Sequence, residues 1–231
     1  MMQLHIGNKN YSSWSMRPWV LMRQFDIPFQ EVMIRFDAFS PDSRFKRQAL
    51  QLSPAGRVPV LVDGNLSIWD TLAIAEYLAE THPHLALWPR DRPGRARARS
   101  LCAEMHAGFS ALRSHFPQNL EVRMPEIGAR VLAEEPAVVS DLARVCSMWT
   151  DALRDSSGPF LFGDFSIADA YYAPMAGRLR SYGLPMNALV TGYVEHLFAT
   201  KAVAAWVIDA LQEHDFVAED EPYRSSPNPA A

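Results

Sequence analysis

The run Ser53-Pro54-Ala55-Gly56-Arg57-Val58-Pro59-Val60-Leu61-Val62-Asp63-Gly64-Asn65-Leu66-Ser67-Ile68-Trp69-Asp70-Thr71 joins a tight-turn signature to a proline placed where a sheet strand should run. Val58 to Val62 and Leu66 to Trp69 are apolar, β-branched or aromatic runs on either side of Asp63-Gly64-Asn65. An Asp-Gly pair supplies the positive φ angles of a hairpin turn, so the two runs are expected as adjacent antiparallel strands. Pro59 has no N–H to offer a neighbouring strand and belongs at a sheet edge or a strand start. Two readings are open. Pro59 is an edge-strand proline, or the Val58–Pro59 bond is cis and turns the Val58 backbone N–H and C=O toward a ligand; cis bonds occupy only about 5% of X–Pro positions. After the hairpin, Leu72, Ala75, Tyr77 and Leu78 recur at helical spacing as far as Thr81-His82-Pro83, and Asp70 stands where a helix cap is needed.

Upstream, Leu4 and Ile6 mark a first strand. The loop Asn8 to Ser15 leads into a helix over Met16 to Phe25, with Pro18 expected in its first turn, where a missing N–H does no harm. Val32, Ile34 and Phe36 alternate as a second strand, and Phe45, Ala49, Leu50 and Leu52 suggest a short helix. The order strand, helix, strand, helix, strand, strand, helix is that of a thioredoxin-like α/β unit, expected over residues 1–82. Past Pro93 the strand signal stops. Leu101, Met105, Phe109 and Leu112, then Val138, Leu142, Val145 and Trp149, then Val203, Val207 and Leu211 all keep helical spacing. An all-helical unit is expected over 94–216, joined by a proline-rich linker over 83–93 that carries Pro83, Pro89 and Pro93. Residues 217–231 lack an apolar period and are expected as a flexible tail.

The chain has 231 residues, 22 Lys+Arg against 26 Asp+Glu, and a formal net charge of −4. That length accommodates two small domains. The slight acidic excess argues against a nucleic-acid partner, which would call for a basic face. No window approaches the ~20 apolar residues of a membrane helix, and Met1 to Gly7 lacks the basic and apolar regions of a leader, so a cytoplasmic location is expected. The two cysteines, Cys102 and Cys146, are too few for a disulfide framework or a thiolate zinc site. His82-Pro83-His84 has no ligating companion nearby, and no metal is expected.

Ser53 to Leu61, followed by Ile68-Trp69-Asp70-Thr71-Leu72-Ala73-Ile74-Ala75-Glu76-Tyr77-Leu78, resembles the glutathione-site half of the cytosolic glutathione transferase family. That family joins a thioredoxin-like domain to a helical one. Its usual Asn-Pro-x-Gly-Lys-Val-Pro segment has Ser53 and Arg57 here, and its Glu-Ser or Gln-Ser pair is Asp70-Thr71. The resemblance implies that glutathione is the co-substrate. It implies that Val58, ahead of Pro59, pairs its backbone with the cysteinyl peptide in a strand-like addition. Asp70 then takes the γ-glutamyl ammonium, and the Thr71 hydroxyl and N–H take its carboxylate. Plain capping is the alternative for Asp70-Thr71. Arg57 either reaches the glycine carboxylate or is a solvated surface arginine. A homodimer is implied as well, and Arg95, Arg97 and Arg99 form a solvated face or part of that contact.

The reactive species is the thiolate, which a hydroxyl hydrogen bond and the positive end of a helix stabilise. Tyr11-Ser12-Ser13-Trp14-Ser15-Met16-Arg17 resembles the Ser-Ser-Cys-Ser-x-Arg motif of zeta-class transferases, with Trp14 in the cysteine's place. Spacing from Arg17 makes Ser12 the catalytic position and Ser13 its neighbour; Tyr11 is a rival hydroxyl, and capping the helix is a further use of the serines. Without a cysteine near this helix, thiol–disulfide chemistry is disfavoured. Ser166-Ile167-Ala168-Asp169 reads as a capping box of structural value, matching the family's motif before its buried helix. The electrophile is expected against Met105, His106, Phe109 and Arg113 on one long helix, with Met105 and Phe109 also suited to the core. The implied activity is transfer of glutathione to a small electrophile. Glutathione-dependent cis–trans isomerisation and a non-catalytic interaction module are the alternatives.

Overall fold

The computed structural model describes residues 1–227. Strands β1 (Met2–Ile6) and β2 (Phe29–Met33) pair in parallel through the intervening helix α1 (Ser13–Gln24). Strands β3 (Val60–Asp63) and β4 (Leu66–Trp69) form the antiparallel hairpin, with Gly64 at φ +58°, and β3 also pairs antiparallel with β1. The sheet order is β2-β1-β3-β4, with α2 (Arg44–Leu52) and α3 (Thr71–Thr81) completing a thioredoxin-like unit.

Three local expectations shift. The second strand lies at 29–33 instead of 32–36, because β1 ends at Ile6 and offers its last acceptor to the Ile34 N–H at 2.8 Å. The apolar alternation beyond that point serves a separate small core, where Phe36 meets Phe45 of α2 with ring centroids 4.8 Å apart. Helix α1 starts at Ser13 instead of Met16, with Ser12 as the cap, so Pro18 sits inside the helix and the Trp14 carbonyl loses its i+4 donor. The Val58–Pro59 bond is cis, and the strand begins only at Val60, so Pro59 lies ahead of the ladder and not in it.

The second half is helical: α4 (Arg92–Ala107), α5 (Ser110–His115), α6 (Pro125–Glu134), α7 (Pro136–Asp155), α8 (Ile167–Ser181), α9 (Ala188–Phe198) and α10 (Lys201–Glu213). Helix α8 is buried along almost its whole length and is capped by the Ser166–Asp169 box. Helix α1 packs between the sheet and helices α8 and α10, so one continuous hydrophobic core runs through both halves. The expected single helix carrying Met105 through Arg113 is broken: α4 stops at Ala107, and Phe109 adopts φ +57° ahead of α5. No helix is long and apolar enough to cross a membrane among the described residues.

The segment expected as a flexible tail makes specific contacts over its described part. A 3-10 turn at Ala218–Asp220 leads to Glu221, 6% exposed, whose Oε1 accepts from the Tyr11 hydroxyl and from Asn119 Nδ2, both at 2.7 Å. Arg224 bonds the same carboxylate, and the Tyr223 hydroxyl donates to the His115 carbonyl at 2.8 Å. Polar anchors hold this segment, which is why a search for apolar periodicity passes over it. Residues 228–231 lie outside the described part.

Candidate active site

At the start of α1, the Ser12 Oγ accepts from the Ser15 N–H at 3.4 Å and donates to the Ser15 Oγ at 2.7 Å. The Ser15 hydroxyl in turn accepts from the Gly7 N–H at 3.1 Å. Ser12 is therefore occupied as the helix cap. Ser13, in the first helical turn, has a side-chain hydroxyl with no hydrogen-bond partner among the described residues. Both serines line a cleft of about 570 Å³ where the two halves meet. The Tyr11 phenol donates into Glu221, and burial and that carboxylate push its pKa far above the ordinary tyrosine value, so it holds its proton. A hydroxyl in that state is a poor partner for a thiolate.

A second part of the cleft, about 280 Å³, is lined by Val58, Pro59, Asp70, Thr71 and His106. It meets the first part at Trp14, Arg57, Val58 and Arg113. The Val58 N–H and C=O lie outside the β3 ladder and pair with nothing among the described residues. That is the free edge an extended peptide could extend. Asp70 caps α3 through a 2.8 Å bond from the Leu72 N–H and sits at φ +75°, a backbone region that non-glycine residues seldom occupy. Strain of this kind collects where a side chain must be aimed. The other Asp70 oxygen is 3.3 Å from His106 Nε2, and His106 Nδ1 is 3.3 Å from the Tyr171 hydroxyl. The Thr71 hydroxyl, expected to face a ligand carboxylate, is instead buried against the Tyr171 hydroxyl at 2.8 Å. Its backbone N–H has no partner among the described residues and stays available. Arg57 is exposed and borders both parts of the cleft.

Of the residues expected to hold an electrophile, His106 and Arg113 line the cleft, whereas Met105 and Phe109, 0% and 5% exposed, belong to the core and line neither part. The break at Gly108 turns the chain, so Phe109 packs inward while Arg113, on α5, faces the opening. Sequence reasoning gave no ligand-site role to Trp14, Tyr171 or Arg178. Trp14 is stacked by the Arg17 guanidinium at 3.9 Å and by that of Arg113 at 4.9 Å, and its ring meets His106 edge-on at 5.1 Å. Arg178 stands out only once α8 is seen to be buried along almost its whole length, where a charged residue is either paired or functional.

Residues 11–81 match the family model for the glutathione S-transferase N-terminal domain, and residues 73–209 match that for the C-terminal domain. Glutathione S-transferase 1 of Dianthus caryophyllus is 35% identical over 189 residues, covering 80% of this chain and 80% of its own. A probable maleylacetoacetate isomerase of Caenorhabditis elegans is 28% identical over 180 residues, 76% of this chain and 77% of its own. A crystal structure of a glutathione transferase homolog from Burkholderia gl BGR1, with bound glutathione, superposes with a TM-score of 0.68 at 25% identity, covering 92% of this chain and 98% of that one. With both domain models spanning most of the chain and a relative 35% identical over 80% of it, the chain belongs to the glutathione S-transferase family.

Proposed function

We propose that the protein binds glutathione in the smaller part of the cleft and activates its thiol for attack on a small electrophile held in the larger part. The observation that carries this reading is the gathering, around one cleft, of an unpaired strand edge at Val58, an aimed carboxylate at Asp70 and a free hydroxyl at the start of α1. Val58 takes the cysteinyl peptide, Asp70 the γ-glutamyl ammonium, the Thr71 N–H the adjoining carboxylate, and Arg57 the glycine carboxylate. The thiol gives its proton to solvent. Its sulfur then forms a bond to the electrophilic carbon, and a leaving group departs or the neighbouring carbon takes up a proton. Ser12 and Ser13 both stand at the positive end of α1. Ser13 can donate to the thiolate without giving up an existing bond, whereas Ser12 must first leave Ser15.

The test is glutathione titration with thiolate absorbance followed against pH, in wild type, Ser12→Ala and Ser13→Ala. The expected result is a thiol pKa raised by about one unit or more, the loss of one charge-assisted hydrogen bond, in Ser13→Ala. Absence of glutathione binding in wild type sinks the reading, and a rise confined to Ser12→Ala returns the role to the cap residue. Reversible addition to a cis-enone acid is the second chemistry the same thiolate supports, and the isomerase among the relatives favours testing it. Product analysis separates isomerised from conjugated products. The functional unit is proposed as a cytoplasmic homodimer, with residues 1–82 and 94–216 as its domains. The exposure of Leu66 and Trp69 on β4, 49% and 43%, supports an association surface there.

A further inference from the structure

The larger part of the cleft holds more positive charge than the protein neutralises. Arg178, on α8, is 5% exposed; its Nε donates to the Phe116 carbonyl at 2.8 Å and its Nη1 has no partner. Arg17 is 2% exposed with Nε and Nη1 unpartnered, stacked between the rings of Trp14 and Tyr171. Arg113 makes only long bonds, 3.4 and 3.3 Å, to the carbonyls of His106 and Gly108. None of the three forms an ion pair with a carboxylate among the described residues. A buried guanidinium without a counter-ion is costly, and an anion is what removes the cost.

Resting on the glutathione reading above, we propose that the acceptor substrate is an anionic electrophile whose carboxylate is bound by Arg178, in the larger part of the cleft, and by Arg113, where the two parts meet. Arg178 lines the larger part only and Asp70 and Thr71 the smaller part only, whereas Arg57, Val58 and Arg113 border both. Ser110 and Ser114 add hydroxyls beside the arginines, and Phe36, Phe39 and Trp14 offer an apolar wall for the body of the substrate. The one acid lining the larger part is Asp220, which burial and its neighbours Glu221 and Glu219 push up to about 6; it stays mostly ionised at neutral pH, so a single carboxylate stands against the guanidiniums of Arg178 and Arg113. Burial and the neighbouring guanidiniums lower Arg178 to about 9 and Arg17 to about 10, as expected for crowded cations awaiting an anion. Arg17 lines neither part of the cleft and acts through its field, as a positioning residue beneath Trp14.

The proposal is tested by binding 3,5-dinitrobenzoate and its methyl ester to the full chain without glutathione, followed by tryptophan quenching. The pair shares one aromatic body and differs in charge. Wild type should bind the acid at least about tenfold more tightly than the ester, the difference expected of a charge-assisted pair. Arg178→Gln should bring the two affinities together, and Arg113→Gln should narrow the gap. Glutathione affinity by calorimetry should stay within about twofold in Arg178→Gln, less than 0.5 kcal/mol by the conversion of affinity to free energy. Equal binding of acid and ester in wild type overturns the proposal. So does a preference that survives both substitutions, or a loss of glutathione affinity in Arg178→Gln, which would assign the arginine to a carboxylate of glutathione. Should Arg178→Gln fail to fold, Arg113→Gln decides by the same comparison. Failure of wild type to bind glutathione would remove the transferase reading while leaving the acid–ester result interpretable.

Discussion

Asp169 shows how much one buried carboxylate can carry. Fully buried at the start of α8, it accepts from the Ser166 N–H and hydroxyl, the Leu161 N–H and the Tyr193 hydroxyl at 2.9–3.1 Å. Burial nevertheless raises its pKa to about 6 from 3.8. A carboxyl whose pKa is higher folded than unfolded binds its proton more tightly in the native state, so its contribution is complete below about pH 4 and is lost as pH rises through about 6. The difference amounts to about 3 kcal/mol. Urea unfolding at pH 4.5 and pH 7 checks the sign: the stability gap between wild type and Asp169→Asn should narrow at the higher pH. Asp169→Ala strands four donors and should cost about 3 kcal/mol or more. At the ligand end, Asp70→Asn removes the charge proposed to meet an ammonium. Glutathione affinity, read by calorimetry, should fall about tenfold or more while the thermal midpoint moves little, since an asparagine still caps α3. The capping box was readable from four residues in sequence. The positive φ of Asp70 and the diversion of the Thr71 hydroxyl to Tyr171, 100 positions away, were not.

Among the elements, the chain end after α10 departs most from its sequence pattern. Asp215 pairs with Arg35 and accepts from Asn8 Nδ2, Glu219 accepts from the Phe39 N–H at 2.7 Å, and Glu221 joins Tyr11, Asn119 and Arg224. The segment thus straps the helical half to the loop before α1. Glu221→Ala leaves a nearly buried arginine, a phenol and an amide short of an acceptor and should cost about 3 kcal/mol in chemical denaturation. Tyr11→Phe removes the one hydroxyl donor shared between Glu221 and the Asp215 carbonyl and should cost only about 1 kcal/mol, with the thiol pKa of bound glutathione unchanged. A raised thiol pKa in Tyr11→Phe would return the tyrosine to the catalytic role. Helix α1 shows the opposite balance. Its serines were legible as an N-terminus, and only its exact start differed, because a Ser12–Ser15 cap outweighed the penalty of an interior Pro18.

Taken as a whole, the molecule is two units sharing one core. Trp19 of α1 meets Trp206 of α10 with ring centroids 5.2 Å apart, and the buried Lys9 lies over both rings while pairing with Glu31 and Asp209. Unfolding either half exposes apolar surface of the other. A single cooperative transition is expected, with far-ultraviolet and aromatic circular dichroism and tryptophan emission changing together in urea; separated midpoints would show the halves unfolding independently. Sequence by itself determined the element order of the first half, the hairpin and the resemblance to the family, because these depend on contacts between near neighbours, such as turn chemistry, caps and periodicity; between the two readings of Pro59 it did not choose. Tertiary structure alone decided which hydroxyl is free at the head of α1, that Met105 and Phe109 turn inward while Arg178 meets the cleft, and that the chain end folds back onto Tyr11. The serine that stays free is settled by side-chain rotamers within one turn, between Ser12 and Ser15; the other outcomes depend on a partner roughly 60 to 210 positions away, or on which side of a helix break a side chain emerges, and no local pattern records any of these.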